Sequence, residues 1–263
     1  MERYKKGTVI NGERYYFDLT IPKPDSEKAE FILIAVKNHQ LKRVIEMIAP
    51  LIGEDTVILS LLNGITSEDE LSRAFGRNKV LHGFCVATDA VRENGEVHFV
   101  NSGKIVFGEN YAEVSGKAAS VAEFFTRAGI AYEIPQDIRR EMWWKFMMNV
   151  GINQTSAILR APYGVYQSIP EARELFASAC REVIPIARAK GINLSEDDIK
   201  EYIKILKKMS PTGKTSMLQD VEAGRKTEVE CFALTVMNLG KKYGIPTPVN
   251  ETLYRLIRVI EQK

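Results

Sequence analysis

The sequence predicts an α/β domain followed by an all-helical domain. Three observations carry this. Strand-length apolar runs alternate with helical stretches as far as Pro135. From Asp137 to Lys263 the periodicity is helical, with no convincing strand. A length of 263 residues also suits two domains. The boundary is placed between residues 135 and 136, giving units of 1–135 and 136–263.

Thr8 to Thr20 reads as a hairpin turning at Asn11-Gly12, a dipeptide that accepts positive φ. Phe31 to Val36 and Thr56 to Leu62 are continuous apolar runs, as expected of parallel strands buried on both faces. A helix is expected from His39 to Ile48 between them, and another from Ser67 to Phe75. Val80 to Thr88 is a further strand. Asn94-Gly95 turns a second hairpin into Val97 to Val100, and Lys104 to Gly108 is strand-like. A helix from Ala118 to Ala128 and a strand from Ile130 to Ile134 close the first domain. The second domain is expected to hold helices over 137–158, 170–190, 195–209, 216–243 and 249–262. Ser195 with Asp197 and Asp198 makes an N-cap and acidic first turn, and Gly191 and Gly244 stand where helices end.

Composition narrows the function classes. Apolar residues make up 45% and charged residues 27%, an ordinary globular balance. The 36 basic and 34 acidic side chains leave +2, which gives no nucleic-acid footprint. No apolar run reaches the roughly 20 residues a bilayer requires, and no secretory h-region follows the N-terminus. Cys85, Cys180 and Cys231 lack metal or disulfide spacing. Cys85 and Cys180 read as buried free thiols, and reduced cysteines fit the cytoplasm. His39, His82 and His98 show no ligand spacing.

Lys145, Asn149 and Asn153 carry the strongest chemical signal. They are spaced four apart and so share one helix face, while Trp144, Phe146, Met147, Met148, Val150 and Ile152 around them are apolar. Such a helix is buried, and its polar stripe needs partners. One reading is structural, with these groups capping neighbouring segments. The other is a stripe facing a small anionic carbonyl compound: an ammonium to protonate a developing alkoxide, amides to hold carboxylate or hydroxyl oxygens. Desolvation would bring the lysine pKa down toward an acid–base range. Ser216 reads as an N-cap with Gln219 as capping-box partner, and Glu228 lies twelve residues further along the same expected helix. Lys37 and Asn63-Gly64 follow two parallel strands, where open α/β sheets bind ligands. A turn and a solvated lysine are the competing readings there. Gly213-Lys214-Thr215 mimics the end of a P-loop but lacks its first glycine and preceding strand.

Val36-Lys37, Leu62-Asn63-Gly64, Trp144-Lys145 with Asn149 and Asn153, and Ser216 to Asp220 followed by Thr227-Glu228 resemble the ketopantoate reductase family over nearly the whole chain. The resemblance implies a truncated Rossmann-like NADP-binding domain, then a helical substrate domain, with the active site between them. It implies NADPH-dependent reduction of 2-dehydropantoate to pantoate, toward pantothenate and coenzyme A. Lys145 then corresponds to the general acid; Asn149, Asn153, Ser216 and Asn63 to substrate-binding positions; and Lys37, Asn63, Ala90 and Glu228 to cofactor contacts. Tyr163 occupies the place of a further substrate asparagine, so another branched 2-oxo acid is an alternative substrate. A non-catalytic homologue without cofactor binding is the alternative from another class. The expected partner is a small 2-oxo acid, not nucleic acid or membrane, and a homodimer is the candidate assembly.

The family's opening Gly-x-Gly-x-x-Gly turn, which brings the backbone against a pyrophosphate, occurs nowhere in this sequence. Residues 1–20 resemble the region just after that βαβ unit, which takes roughly 30 residues. An internal methionine read as the start, a degenerate natural protein and a chain lacking the segment all fit. Weak or absent NADPH binding is the expectation for the 263 residues alone.

Overall fold

A computed structural model describes residues 7–93, 95–109 and 116–263. Two units emerge. One contains the described residues up to Leu62 together with Ser67–Ile138; the other contains Asn63–Thr66 and Arg139–Lys263.

The first unit is built on a five-stranded sheet in the order β3-β4-β5-β8-β9: β3 Ala29–Ile34, β4 Ile52–Ser60, β5 Val80–Val86, β8 Lys104–Gly108 and β9 Tyr132–Glu133. β3, β4 and β5 are parallel, β8 runs antiparallel to β5, and β9 is parallel to β8. The apolar run of β4 explains its central place. Val57 and Leu59 pack with Leu81, Phe107 and Phe125 on one face, while Ile58 packs with Ile34, Leu41 and Leu71 on the other. The two-residue period thus feeds two cores. Helix α3 (Lys117–Arg127) covers the first face; α1 (Leu41–Ile48) and α2 (Ser67–Phe75) cover the second. β3 departs from its expected two-sided burial. It is an edge strand, and α3 reaches Phe31 through Phe124 and Phe125 but leaves Leu33 44% exposed.

The two hairpins pair with each other in a separate sheet, β2-β1-β7-β6. β1 (Thr8–Ile10) turns at Asn11-Gly12, both at positive φ, into β2 (Glu13–Tyr15), which stops well short of Thr20. β6 (Val91–Glu93) and β7 (Glu96–His98) form the second hairpin; Asn94 of its turn lies outside the described residues. Ile10 beside Val97 joins the hairpins in parallel.

The second unit is wound around α4 (Ile138–Leu159). Phe146, Met147, Met148, Val150 and Ile152 are all at most 1% exposed, so this helix is buried nearly all round, as its composition predicts. Gly151 lets α6 (Pro170–Ala189) approach closely: a Cβ there would meet Cys180 Sγ and the Phe176 ring at 2.5 Å. Cys180 and Cys231 are buried, whereas Cys85 is half-buried, less enclosed than its sequence suggests. Ser195 begins α7 (Glu196–Leu206), its N–H donating to Asp198, and Gly191 and Gly244 take the left-handed conformation at their helix ends.

Two helices of the second unit also differ from the sequence expectation. A short helix, α5 (Tyr163–Ser168), is held by distant carbonyls: Tyr163 N–H donates to Gly213 O and Gly164 N–H to Pro211 O. The expected helix over 216–243 is three elements. α8 (Ser216–Glu222) ends where Gly224 adopts φ +62° and Arg225 N–H returns to Asp220 O. A π turn follows at Glu230–Leu234 and runs directly into α9 (Thr235–Tyr243). Helix α10 (Pro248–Ile260) closes the chain. Among the described residues, no helix is long and apolar enough to cross a membrane.

Candidate functional site

Within the helical unit, three of the singled-out side chains meet in one hydrogen-bonded run. Lys145 Nζ donates to Asn63 Oδ1 at 3.4 Å, and Asn63 Nδ2 donates to Glu228 Oε2 at 3.1 Å. The chemistry fixes the amide orientation: an ammonium can only donate and a carboxylate can only accept. Asn63 thus joins a cation to an anion, and Glu228 is only 6% exposed.

Each member is placed by its own device. Lys145 rides on the buried helix α4, with Asn149 and Asn153 one and two steps of four residues further along the same face. Lys145 and Asn149 are half-buried and Asn153 is buried. Among the described residues, the side-chain amides of Asn149 and Asn153 have no hydrogen-bond partner. Asn63 is three residues beyond the end of β4, in the short segment that clusters with the helices. Gly64 follows at φ +99°, and Cys231 Sγ donates to Asn63 O at 2.9 Å. Glu228 sits between the break after α8 and the π turn. Its neighbour Thr227 donates through N–H and Oγ1 to Glu261 at 2.9 and 2.6 Å.

Ser216 is corrected in role. The cap of α8 is Thr215, whose Oγ1 accepts from Leu218 N–H at 3.2 Å; Ser216 is the first helical residue and is exposed. Ser156 Oγ and Thr215 Oγ1 lie 2.7 Å apart, so the start of α8 is tied to α4 one turn past Asn153. Ser216 and Glu228 therefore belong to different elements, and α4 and the π turn relate them instead of a shared helix face. Ser156, Thr215 and Cys231 were not among the sequence candidates; a buried Ser–Thr contact across 59 positions has no local signature.

Lys37 and Ala90 belong to the sheet unit. Lys37 is three residues beyond β3 and caps a 3-10 turn at Asn38–Gln40, its N–H donating to Gln40 Oε1 at 3.1 Å. Ala90 is exposed, with its N–H directed at Thr88 Oγ1 at 3.3 Å. Tyr163 packs its ring against Gly213, where a Cβ would come within 2.9 Å, and burial raises its pKa.

A family model described as "Ketopantoate reductase PanE/ApbA" matches residues 2–111, and "Ketopantoate reductase PanE/ApbA C terminal" matches residues 137–261. The chain is 29% identical over 261 residues to the 2-dehydropantoate 2-reductase of Archaeoglobus fulgidus, spanning 99% of this chain and 86% of that one. The crystal structure of 2-dehydropantoate 2-reductase from Geobacter metallireducens GS-15 matches with a TM-score of 0.80 at 29% identity, over 88% of this chain and 77% of that one. D-mandelate dehydrogenase, in a ternary structure with NADH and anilino(oxo)acetate, matches with a TM-score of 0.88 over 100% of this chain and 88% of that one. At 22% identity that last likeness is one of fold.

Proposed function

The chain belongs to the ketopantoate reductase family, oxidoreductases acting on a 2-oxo acid, and on that premise we propose that it catalyses NADPH-dependent reduction of 2-dehydropantoate to pantoate. The observation that supports this reading is the run Lys145–Asn63–Glu228 with Asn149 and Asn153 in line beside it.

In this reading the nicotinamide, when bound, supplies the hydride to the ketone carbon. Lys145 gives a proton to the carbonyl oxygen as negative charge develops there, acting as the catalytic general acid. Asn63 accepts from Lys145 and so aims the ammonium, while Glu228 holds the amide in that orientation. Asn149 and Asn153 donate to the carboxylate and to the oxygen functions beyond it, and Ser216 adds a hydroxyl. On the cofactor side, Lys37 and Asn63 both follow carboxyl ends of neighbouring parallel strands, where a nicotinamide dinucleotide lies in open α/β sheets. Glu228 and the Ala90 backbone are the other contacts assigned to it. The residues present thus suit the nicotinamide end; a glycine-rich pyrophosphate cradle is not among the 263 residues.

The test is NADPH oxidation with 2-dehydropantoate at millimolar cofactor. Lys145→Ala is expected to lower kcat about 10²- to 10⁴-fold, the usual worth of a positioned acid, while its melting temperature stays close to that of the unsubstituted protein. Unchanged turnover would remove Lys145 from the mechanism. Tyr163, at the place of a family asparagine, favours a second reading, in which the substrate is another branched 2-oxo acid. A substrate panel in which such an acid clearly outperforms 2-dehydropantoate would select that reading.

A further inference from the structure

We propose that Cys231 is a positioning residue for this site, locking the Asn63–Gly64 backbone so that the Asn63 amide stands between Lys145 and Glu228. The proposal rests on the assignment of Lys145 as the proton donor. Cys231 is 3% exposed and donates from Sγ to Asn63 O at 2.9 Å. The same sulfur occupies the place a side chain at residue 64 would take: a Cβ on Gly64 would lie 2.4 Å from it. Gly64 also has φ +99°, a conformation glycine holds without strain. The thiol therefore holds the segment by one hydrogen bond and fills the space that a side chain at residue 64 would need, immediately beside the amide that joins the two charges.

Cys231 lies within the π turn at Glu230–Leu234. Leu234 N–H donates to Val229 O at 3.4 Å, across five residues. A π turn takes an extra residue and so rotates what precedes it by roughly 100° relative to an α-helical continuation. Cys231, Phe232, Ala233 and Val236 all belong to the helical core, and from it the Cys231 thiol also reaches the backbone of Asn63.

The experiment reads Lys145 directly. The amines of the full chain are modified with an acylating reagent, and peptide mass spectrometry gives the rate at Lys145 relative to exposed Lys241, well below each variant's melting temperature. Cys231→Ala removes the donor and is expected to speed Lys145 labelling roughly three- to tenfold, the worth of one hydrogen bond. Cys231→Ser restores a donor and should return the rate toward that of the unsubstituted protein. Cys180→Ala, which removes a buried thiol that donates to Met147 O at 3.2 Å in the same unit, is the control and should leave Lys145 unchanged. Gly64→Ala presses the same contact from the other side and should act like Cys231→Ala if that variant fails to fold. In turnover, Cys231→Ala should lower kcat while KM for the 2-oxo acid holds. Equal Lys145 labelling in Cys231→Ala, Cys180→Ala and the unsubstituted protein overturns the proposal. Labelling needs no cofactor, so its outcome is read independently of whether the chain reduces 2-dehydropantoate.

Discussion

Asn63 makes two hydrogen bonds of opposite kind, accepting from the Lys145 ammonium and donating to the Glu228 carboxylate. Only a side chain with one donor and one acceptor group at the same reach can do both. Asn63→Asp keeps the shape and removes the donor. It sets a carboxylate against Glu228 at about 3.1 Å, where like charges in a partly buried site repel by several kcal/mol. The expected outcome is a melting temperature clearly below that of the unsubstituted protein, recovered in the double variant Asn63→Asp, Glu228→Gln, where the new carboxylate can accept from the glutamine. A double-mutant cycle on thermal unfolding measures this coupling, and simple additivity would remove the Asn63–Glu228 contact from the account. The sequence shows half of this site. The stripe Lys145, Asn149 and Asn153 follows from helical period, because all three sit on one element. The partnership of Asn63 with Glu228 spans 165 positions and comes from how the chain returns on itself, which no local period encodes. Family resemblance singles out both residues but does not pair them.

Elements were legible where their limits are set locally. Ser67–Phe75 and Lys104–Gly108 have the extents the sequence predicts, because an acidic first turn and flanking glycines mark them. α5 carries no sequence signal because its six residues are held by carbonyls near residue 212 and not by their own period. The stretch 216–243 read as one helix because its apolar spacing continues through a break made by Gly224 and the Arg225–Asp220 contacts. α4 gives the opposite lesson: its period is real, yet Gly151 within it breaks the local preference. Alanine is favoured over glycine in a helix interior by about 1 kcal/mol. A Cβ at 151 would press Cys180 Sγ and the Phe176 ring at 2.5 Å, and overpacking of that kind costs about 1–3 kcal/mol. The second effect is the larger. Gly151→Ala is therefore expected to lower stability in urea denaturation despite its better helix propensity; a gain in stability would show that α4 and α6 can part without cost.

At the scale of the whole molecule, the proposed site residues fall unequally on the two units. The helical unit holds Lys145, Asn149, Asn153, Ser216 and Glu228, with Asn63 clustered among them, while the sheet unit contributes Lys37 and Ala90. A dinucleotide needs more than a sheet edge. Its pyrophosphate is held where a glycine-rich turn opens a helix, with backbone N–H groups and the positive end of the helix dipole facing the phosphates. α2, which follows β4, offers the reverse: Glu68, Asp69 and Glu70 fill its first turn, and the carboxylates of Asp69 and Glu70 oppose an anion there. α1 is entered through the 3-10 turn at Asn38–Gln40, with no glycine to let a phosphate approach the backbone. On the proposed assignment, the nicotinamide-side groups are therefore present without a pyrophosphate cradle among the 263 residues. A fluorescence titration of this chain with NADPH is expected to show no saturation in the micromolar range, and Lys37→Ala should weaken what binding there is. Saturation at micromolar NADPH would overturn this expectation and mean that backbone elsewhere in these 263 residues performs the work of the glycine-rich turn.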